Sequence, residues 1–167
     1  PGAVQMENLV IRWIAGFLGF PASSLGNLTS GGSIANLIAI VTARDTKGIK
    51  SRFVEDSCIY LTHQAHHSVQ KAIRIAGLDD ANLRYIKTDE QFRMDTDQLN
   101  EEISRDIRNN KKPFLVIASA GTTDTGVIDP LDQQEFAQVD ETVVGCPVGR
   151  IEVKVVIFVF GAVGFRR

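Results

Sequence analysis

Cysteine, proline and tryptophan are all scarce in this chain, which has two, five and one of them among 167 residues. Cys58 and Cys146 stand too far apart for a metal-binding spacing, and two cysteines make no disulfide framework. This usage predicts a reducing compartment, the cytoplasm. An excess of one charge is also missing, since the formal net charge is −2. Neither nucleic acid nor an anionic membrane is therefore an expected partner.

Long apolar runs are missing too. The most apolar tract, residues 153–165, is too short to span a bilayer and contains Lys154. The chain opens at Pro1 without an initiator methionine or a signal peptide, which suggests an internal start. At 44% hydrophobic residues it has enough apolar material for the core of one domain, or of part of a larger one.

Helical and strand-like patterns alternate along the chain. Steps of three and four between apolar residues predict helices over 5–20, 34–44, 67–78 and 96–109, whereas short apolar runs predict strands over 57–62, 83–86 and 114–118. Such alternation predicts an α/β fold with a mostly parallel sheet flanked by helices. The pattern degrades after about residue 137, so the chain divides into residues 1–136 and a divergent segment, 137–167. Truncation or a change of reading frame would produce that division.

The first stretch with chemical potential is the turn Gly31-Gly32-Ser33, which opens directly into a long apolar helix. Glycines allow a ligand to approach the backbone, and a helix start offers unpaired N–H groups to a phosphate. Ser33 is a plausible N-cap. The turn lacks the Gly-Lys-Ser/Thr of nucleoside-triphosphate loops and the three spaced glycines of dinucleotide folds. A plain capped turn is an equally good interpretation of these residues alone.

The second stretch contains all three histidines, His63, His66 and His67, between a predicted strand and a helix. Parallel sheets bind ligands at this position, beyond the carboxyl ends of their strands. An imidazole there can stack on a flat cofactor, transfer protons or bind a metal. No acidic or thiol ligand stands close by in the sequence, so we predict no metal site. A solvated helix start is the alternative.

The third stretch, residues 118–126, follows the apolar run 114–118 and includes Thr122 and Thr123. It should reach the same edge of the sheet as the histidines. Its hydroxyl and amide groups can bind a phosphate or a ring oxygen. Taken alone, an ordinary turn between strand and helix explains it better.

The three stretches together resemble the group II pyridoxal-phosphate decarboxylases, the family of the aromatic-amino-acid, histidine, tyrosine and glutamate enzymes. The similarity covers about residues 1–136 and rests on LTSGGSIANL at 28–37, QAHHSVQKA at 64–72 and AGTTDTGVIDPL at 120–131. It implies part of the large domain of a fold-type-I enzyme, with pyridoxal 5′-phosphate as cofactor, an amino acid as substrate and a homodimeric parent.

The resemblance also implies roles for single residues. Gly31, Gly32 and Ser33 would hold the cofactor phosphate. His66 would stack on the pyridine ring and help to position the substrate, which makes it the one candidate catalytic residue. Thr122 and Thr123 would lie in a loop that contacts the cofactor.

Two features of the family have no match here. Its His-x-Asp-Ala-Ala strand has no counterpart around Asp140, and its His-Lys pair, which supplies the Schiff-base lysine, has none around Lys154. Lys71 follows the histidine stretch and is a better candidate for a surface residue. We therefore expect little activity from this chain alone. The alternatives are an aminotransferase or carbon–sulfur lyase of the same fold, and a non-catalytic module that binds a phosphorylated ligand.

Overall fold

The computed structural model describes residues 2–17 and 26–130, together with the backbone of one strand at 154–159. The described helices are α1 (Gly2–Phe17), α2 (Gly32–Thr46), α3 (His67–Ile75) and α4 (Thr96–Arg108). The strands are β1 (Ser57–Thr62), β2 (Asn82–Ile86), β3 (Lys112–Ala120) and β4 (Lys154–Val159), and a short 3₁₀ helix spans Ser51–Phe53. No helix in these ranges is long and apolar enough to cross a membrane.

The four strands form one sheet in the order β2-β1-β3-β4, and every neighbouring pair is parallel. Every residue of β1 is buried, as its unbroken apolar run predicts for a strand covered on both faces. The predicted α/β class is confirmed. The segment 137–167 contributes β4 to this sheet, and its other residues lie outside the described part of the chain.

Alternate residues of the central strands pack into two separate cores. Ile59, Leu61 and Ile117 face α2 and α3, whereas Cys58, Tyr60 and Val116 face α4. The two-residue period of a strand produces this division, because successive side chains point to opposite faces. The sheet therefore lies between two helical layers, with α2 and α3 on one side and α4 on the other.

A buried ionic network fastens α4 to the sheet. Asp106, only 1% exposed, accepts a hydrogen bond from the hydroxyl of Tyr60 at 2.9 Å. It also accepts two bonds from the guanidinium of Arg84, at 3.0 and 2.8 Å. Burial tends to raise the pKa of Asp106, but these bonds outweigh it and hold the pKa below its ordinary value. One carboxylate thus joins α4 to both β1 and β2.

Several predicted helix boundaries were wrong. The first helix begins at Gly2 rather than at residue 5, whereas its predicted end at residue 20 lies outside the described residues. Helix α3 ends at Ile75 rather than at residue 78. The α3 end has a local cause, since Gly77 takes a left-handed φ of 69° and the N–H of Leu78 bonds back to the carbonyl of Ile73 at 3.1 Å. This is the Schellman arrangement that terminates helices.

The predicted N-cap of α2 was also wrong. The helix begins at Gly32, so its N-cap is Gly31, and no side chain caps it. Ser33 instead lies in the first helical turn, where its backbone N–H is one of the groups without an intrahelical acceptor. The helix therefore starts with its own amides exposed instead of covered by a serine hydroxyl.

Candidate functional site

The candidate site lies along the carboxyl edge of β1 and β3. These strands are parallel neighbours, and Leu61 near the end of β1 is paired with Ile117 near the end of β3. The loop at residues 63–66 and the loop at residues 121–128 consequently leave the sheet at the same edge. Open α/β sheets bind ligands in this position.

The start of α2 offers a set of donors suited to a phosphate. Within the described residues, the backbone N–H groups of Gly32 and Ser33 have no hydrogen-bond acceptor, and the first turn contains no acidic side chain. A Cβ added at Gly31 would meet no atom within 4 Å, so there is open space beside the turn. Unpaired amides at the positive end of a helix dipole bind anions. The residues present therefore fit a phosphate group.

A buried hydrogen bond joins the start of α2 to the start of α3. The side-chain amide of Asn36, one turn after Ser33, donates to Oγ of Ser68 at 2.9 Å. Asn36 is 4% exposed and Ser68 is 2% exposed. The bond fixes the glycine turn beside the His66 loop. Both residues lie in the motifs at 28–37 and 64–72 that carry the family resemblance, which implies no function for them.

His66 is the N-cap of α3. Its Nδ1 accepts a hydrogen bond from the backbone N–H of Ser68 at 3.2 Å and lies 2.8 Å from Oγ of the same residue. Burial lowers the pKa of His66, and the positive charges that His67 and Lys71 can carry lower it further. The His66 and His67 rings lie 4.0 Å apart, tilted by 41°. The cap thus holds the imidazole in one orientation and favours its neutral form.

His63 stands apart from this cap. Its ring stacks on Tyr85 of β2, with centroids 4.3 Å apart and planes 7° from parallel. The Tyr85 hydroxyl accepts a hydrogen bond from the Gln70 side chain at 3.2 Å. In the part of the chain that the structure describes, no group of three histidine, cysteine or acidic side chains is placed to hold a metal ion.

In the loop after β3, the Thr122 side chain is buried within the loop and the Thr123 side chain is exposed. Thr122 is buried, its Oγ1 accepts from the N–H of Val127 at 3.2 Å, and the same atom lies 2.6 Å from the Thr125 hydroxyl. Gly121 and Gly126 take left-handed φ values of 85° and 68°, which let the loop fold back on Thr122. Thr123 is exposed. The Thr122 hydroxyl stabilises the loop, and Thr123 faces solvent.

Asp129 anchors the far end of this loop, a function that the family resemblance did not imply for it. It is 3% exposed, and its two carboxylate oxygens accept from the backbone N–H groups of Met94 and Ser119, both at 2.7 Å. Burial raises the pKa of Asp129, and the two backbone donors act in the opposite direction. Its sequence signals were its place in the matching motif at 120–131 and its position before a proline, after the glycine-bounded loop.

In the described part of the chain, the structure therefore joins two of the three predicted motifs by hydrogen bonds and leaves the third separate from them. The turn at Gly31, Gly32 and Ser33 is tied to His66 through Asn36 and Ser68. Thr122 and Thr123 emerge at the same edge of the sheet, but no hydrogen bond among the described residues joins them to the other two motifs.

Comparison with known proteins agrees with this arrangement. A sequence profile described as the pyridoxal-dependent decarboxylase conserved domain matches residues 1–142. An aromatic-L-amino-acid decarboxylase of Bacillus atrophaeus is 40% identical over 132 residues, which are 79% of this chain and 27% of that protein. Tyrosine decarboxylase 2 of Arabidopsis thaliana is 33% identical over 141 residues, covering 78% of this chain and 26% of that protein. The chain thus spans less than a third of either relative.

Solved structures resemble the chain as well. The glutamate decarboxylase domain of a bifunctional protein from Vibrio parahaemolyticus matches with a TM-score of 0.73 and 26% identity, over 80% of this chain and 31% of that one. The Oryza sativa protein TDC, solved with PLP and tryptamine, matches with a TM-score of 0.69 and 30% identity, over 78% of this chain and 30% of that one. Profile, sequence and fold agree, and the chain belongs to the pyridoxal-dependent decarboxylase family.

Proposed function

We propose that the parent polypeptide is a carboxy-lyase that uses pyridoxal 5′-phosphate to decarboxylate an L-amino acid. This chain would supply the part of the cofactor site that holds the phosphate and the ring. One observation supports this most strongly: the uncapped start of α2, which fits a phosphate, is hydrogen-bonded through Asn36 and Ser68 to the His66 cap. The names of the two relatives, an aromatic-L-amino-acid decarboxylase and a tyrosine decarboxylase, agree with it.

In this proposal Gly31, Gly32 and Ser33 hold the phosphate. The amides of Gly32 and Ser33 donate to its oxygens, Gly31 leaves room beside the turn, and the dipole of α2 stabilises the negative charge. When bound, the cofactor supplies an electron sink for the electron pair left behind as carbon dioxide departs. The chain's own contribution is to bind and orient.

His66 would stack on the cofactor ring and help to position the substrate. Its imidazole is held by Ser68, and burial lowers its pKa, which favours the neutral form, so it would present a flat surface of fixed orientation. Thr123, exposed on the loop after β3, would contact a ligand at this edge, while Thr122 keeps the loop folded. Binding energy used for orientation of this kind lowers the entropic barrier to reaction.

Two wider properties of the parent are also proposals. We infer a homodimer, which the exposed apolar side chains of α1, such as Trp13 and Phe17, would help to form. We infer a cytoplasmic location, in keeping with the free and buried thiol of Cys58. A cross-linking experiment on the parent and its localisation in cells test these two points.

The function is tested by titrating the chain with pyridoxal 5′-phosphate, followed by borohydride reduction and peptide mass mapping. We expect reversible binding without one dominant trapped lysine, because neither Lys71 nor Lys154 matches the family's Schiff-base lysine. Absence of binding would contradict the cofactor site. A pyridoxyl group trapped at a single lysine would contradict the claim that this chain lacks the covalent step, and would favour a complete catalytic unit.

A further inference from the structure

The orientation of one hydrogen-bonded chain at the candidate site can be deduced from a single backbone group. The N–H of Ser68 donates to Nδ1 of His66 at 3.2 Å, so this ring nitrogen acts as an acceptor and carries no proton. The Ser68 hydroxyl, 2.8 Å from the same nitrogen, must then donate to it. With its proton directed at His66, Oγ of Ser68 accepts from the amide NH₂ of Asn36 at 2.9 Å.

We propose that Asn36 and Ser68 are positioning residues that hold His66 as the neutral tautomer with its proton on Nε2. The chain runs in one direction, from the Asn36 amide to the Ser68 hydroxyl to Nδ1. The use of this tautomer rests on the proposed function, in which His66 meets the cofactor ring. Its geometry is independent of any bound ligand.

The burial of Asn36 and Ser68 strengthens the preference for this direction of the hydrogen-bonded chain. Asn36 and Ser68 are 4% and 2% exposed, so water competes little for their hydrogen bonds. A proton on Nδ1 would oppose the backbone N–H of Ser68 and would leave the Ser68 hydroxyl proton without its acceptor. His67 and Lys71, two titratable groups of the described residues that act on His66, also disfavour a second proton on the ring. The neutral ring with its proton on Nε2 satisfies both described partners of Nδ1, the backbone N–H and the hydroxyl of Ser68.

The arrangement has a chemical consequence at the site. A histidine with a fixed tautomer offers one defined donor instead of a mixture of donor and acceptor, so a ligand group that meets Nε2 always meets an N–H. A neutral imidazole also stacks on a protonated pyridine ring without charge repulsion. Asn36 and Ser68 would thus act on the cofactor through His66, without contacting it.

The test is long-range ¹H–¹⁵N NMR on the full 167-residue chain labelled at histidine, without cofactor. The ring signals are assigned from the spectra of His63→Gln and His67→Gln. We expect Nδ1 of His66 to show the shift of an unprotonated nitrogen and Nε2 that of a protonated one. Ser68→Ala and Asn36→Leu should each make the Nδ1–H tautomer detectable and move the pKa of His66 upward.

Two controls separate positioning from general stability. Ser57→Ala removes another buried serine hydroxyl, one that donates to the carbonyl of Phe53 at 2.7 Å, and should leave the His66 tautomer unchanged. Ser68→Thr keeps the hydroxyl and should keep the wild-type tautomer, which gives a readout even where Ser68→Ala fails to fold.

A proton on Nδ1 of His66 in the wild-type chain overturns the inference. So does an unchanged tautomer in both Ser68→Ala and Asn36→Leu. These spectra need no cofactor, so they are independent of the proposed function. A confirmed tautomer combined with no binding of pyridoxal 5′-phosphate would reject the function alone.

Discussion

At the residue scale, the buried polar side chains decide how the edge of the sheet is organised. Asn36, Ser68, Asp106 and Asp129 are each less than 5% exposed, and each connects two or more elements. The sequence predicted the loops that these residues stabilise but not the residues, because a polar side chain has no periodic signature. Their partners lie up to 46 positions away in the chain, as in the bond between Tyr60 and Asp106.

Asp129→Ala should destabilise the chain strongly. The backbone N–H groups of Met94 and Ser119, both buried, would lose their acceptor, and each such loss costs about 1–3 kcal/mol. We expect the free energy of unfolding in urea to fall by roughly 2–6 kcal/mol. Asp124→Ala, in the exposed part of the same loop, is the matched control and should stay within about 0.5 kcal/mol of wild type. Equal effects of the two variants would contradict the anchoring function.

Asp106→Asn should break the network that joins α4 to the sheet. Removing one partner of a buried ion pair costs about 3–5 kcal/mol, and the partial exposure of Arg84 places the expected loss near the lower value. Asp45→Asn, which breaks the surface pair with Arg44, should cost about 0–1 kcal/mol. Urea unfolding of both variants measures the difference.

The pH dependence of stability provides a separate test of Asp106. The hydrogen bonds from Arg84 and Tyr60 hold its folded pKa below the ordinary value of 3.8. The stability it contributes is therefore complete above that value and is lost as the pH falls through the folded pKa. The melting temperature of wild type should drop more steeply in this acid range than that of Asp106→Asn. Parallel curves for the two proteins would show that the carboxylate is not the group responsible.

At the scale of the elements, periodicity predicted which segments are helices better than it predicted their inner faces. Leu99, Ile103 and Ile107 recur at four-residue steps in the sequence, a spacing that predicts one apolar face of α4. The structure buries Leu99, Ile103 and Asp106, and leaves Ile107 46% exposed. A helix turns once in 3.6 residues, so seven residues after Leu99 the inner face returns to Asp106. Apolar character alone favours Ile107 as the inner residue. Asp106 occupies that position instead, because its charge is neutralised by the ion pair with Arg84.

Ser33→Asp should have opposite effects on stability and on cofactor binding. A carboxylate in the first turn of α2 complements the helix dipole and should stabilise the chain by about 0.3–1 kcal/mol. The same charge repels a phosphate at the amides of Gly32 and Ser33, so affinity for pyridoxal 5′-phosphate should fall. Thermal melts and equilibrium titration measure the two effects, with Ser33→Ala as the uncharged control. Unchanged affinity in Ser33→Asp would place the phosphate elsewhere.

At the scale of the whole molecule, the alternation of segments predicted a parallel α/β sheet, whereas the strand order depended on contacts distant in sequence. The order β2-β1-β3-β4 places β1 between β2 and β3, although it is the first of the described strands in sequence. β4 comes from a segment with no clear pattern, and its place beside β3 could not be predicted from its composition. The shared edge of the histidine loop and the threonine loop was predictable because parallel strands present their carboxyl ends at one edge.

The apolar surface of α1 should make the chain associate with itself. None of its residues is buried, and Trp13 and Phe17 are 74% and 82% exposed. Exposed apolar patches of this kind mark interaction surfaces or promote aggregation. Sedimentation velocity should show association that increases with concentration and weakens in the double variant Trp13→Glu, Phe17→Glu. Ile107→Glu, at an isolated exposed position on α4, is the control and should associate like wild type. A concentration-independent monomer with a sharp cooperative melt would contradict this prediction.

The binding of a phosphate at the start of α2, next to His66, is the property on which the proposed cofactor site depends most. Calorimetric titration with pyridoxine 5′-phosphate and with pyridoxine tests it most directly, because these ligands differ only in the phosphate and neither has the aldehyde that reacts with lysines. We predict saturable binding of the phosphorylated ligand, much weaker binding of pyridoxine, and loss of the difference in Ser33→Asp. Equal affinities for the two ligands, or binding of neither, would contradict the account.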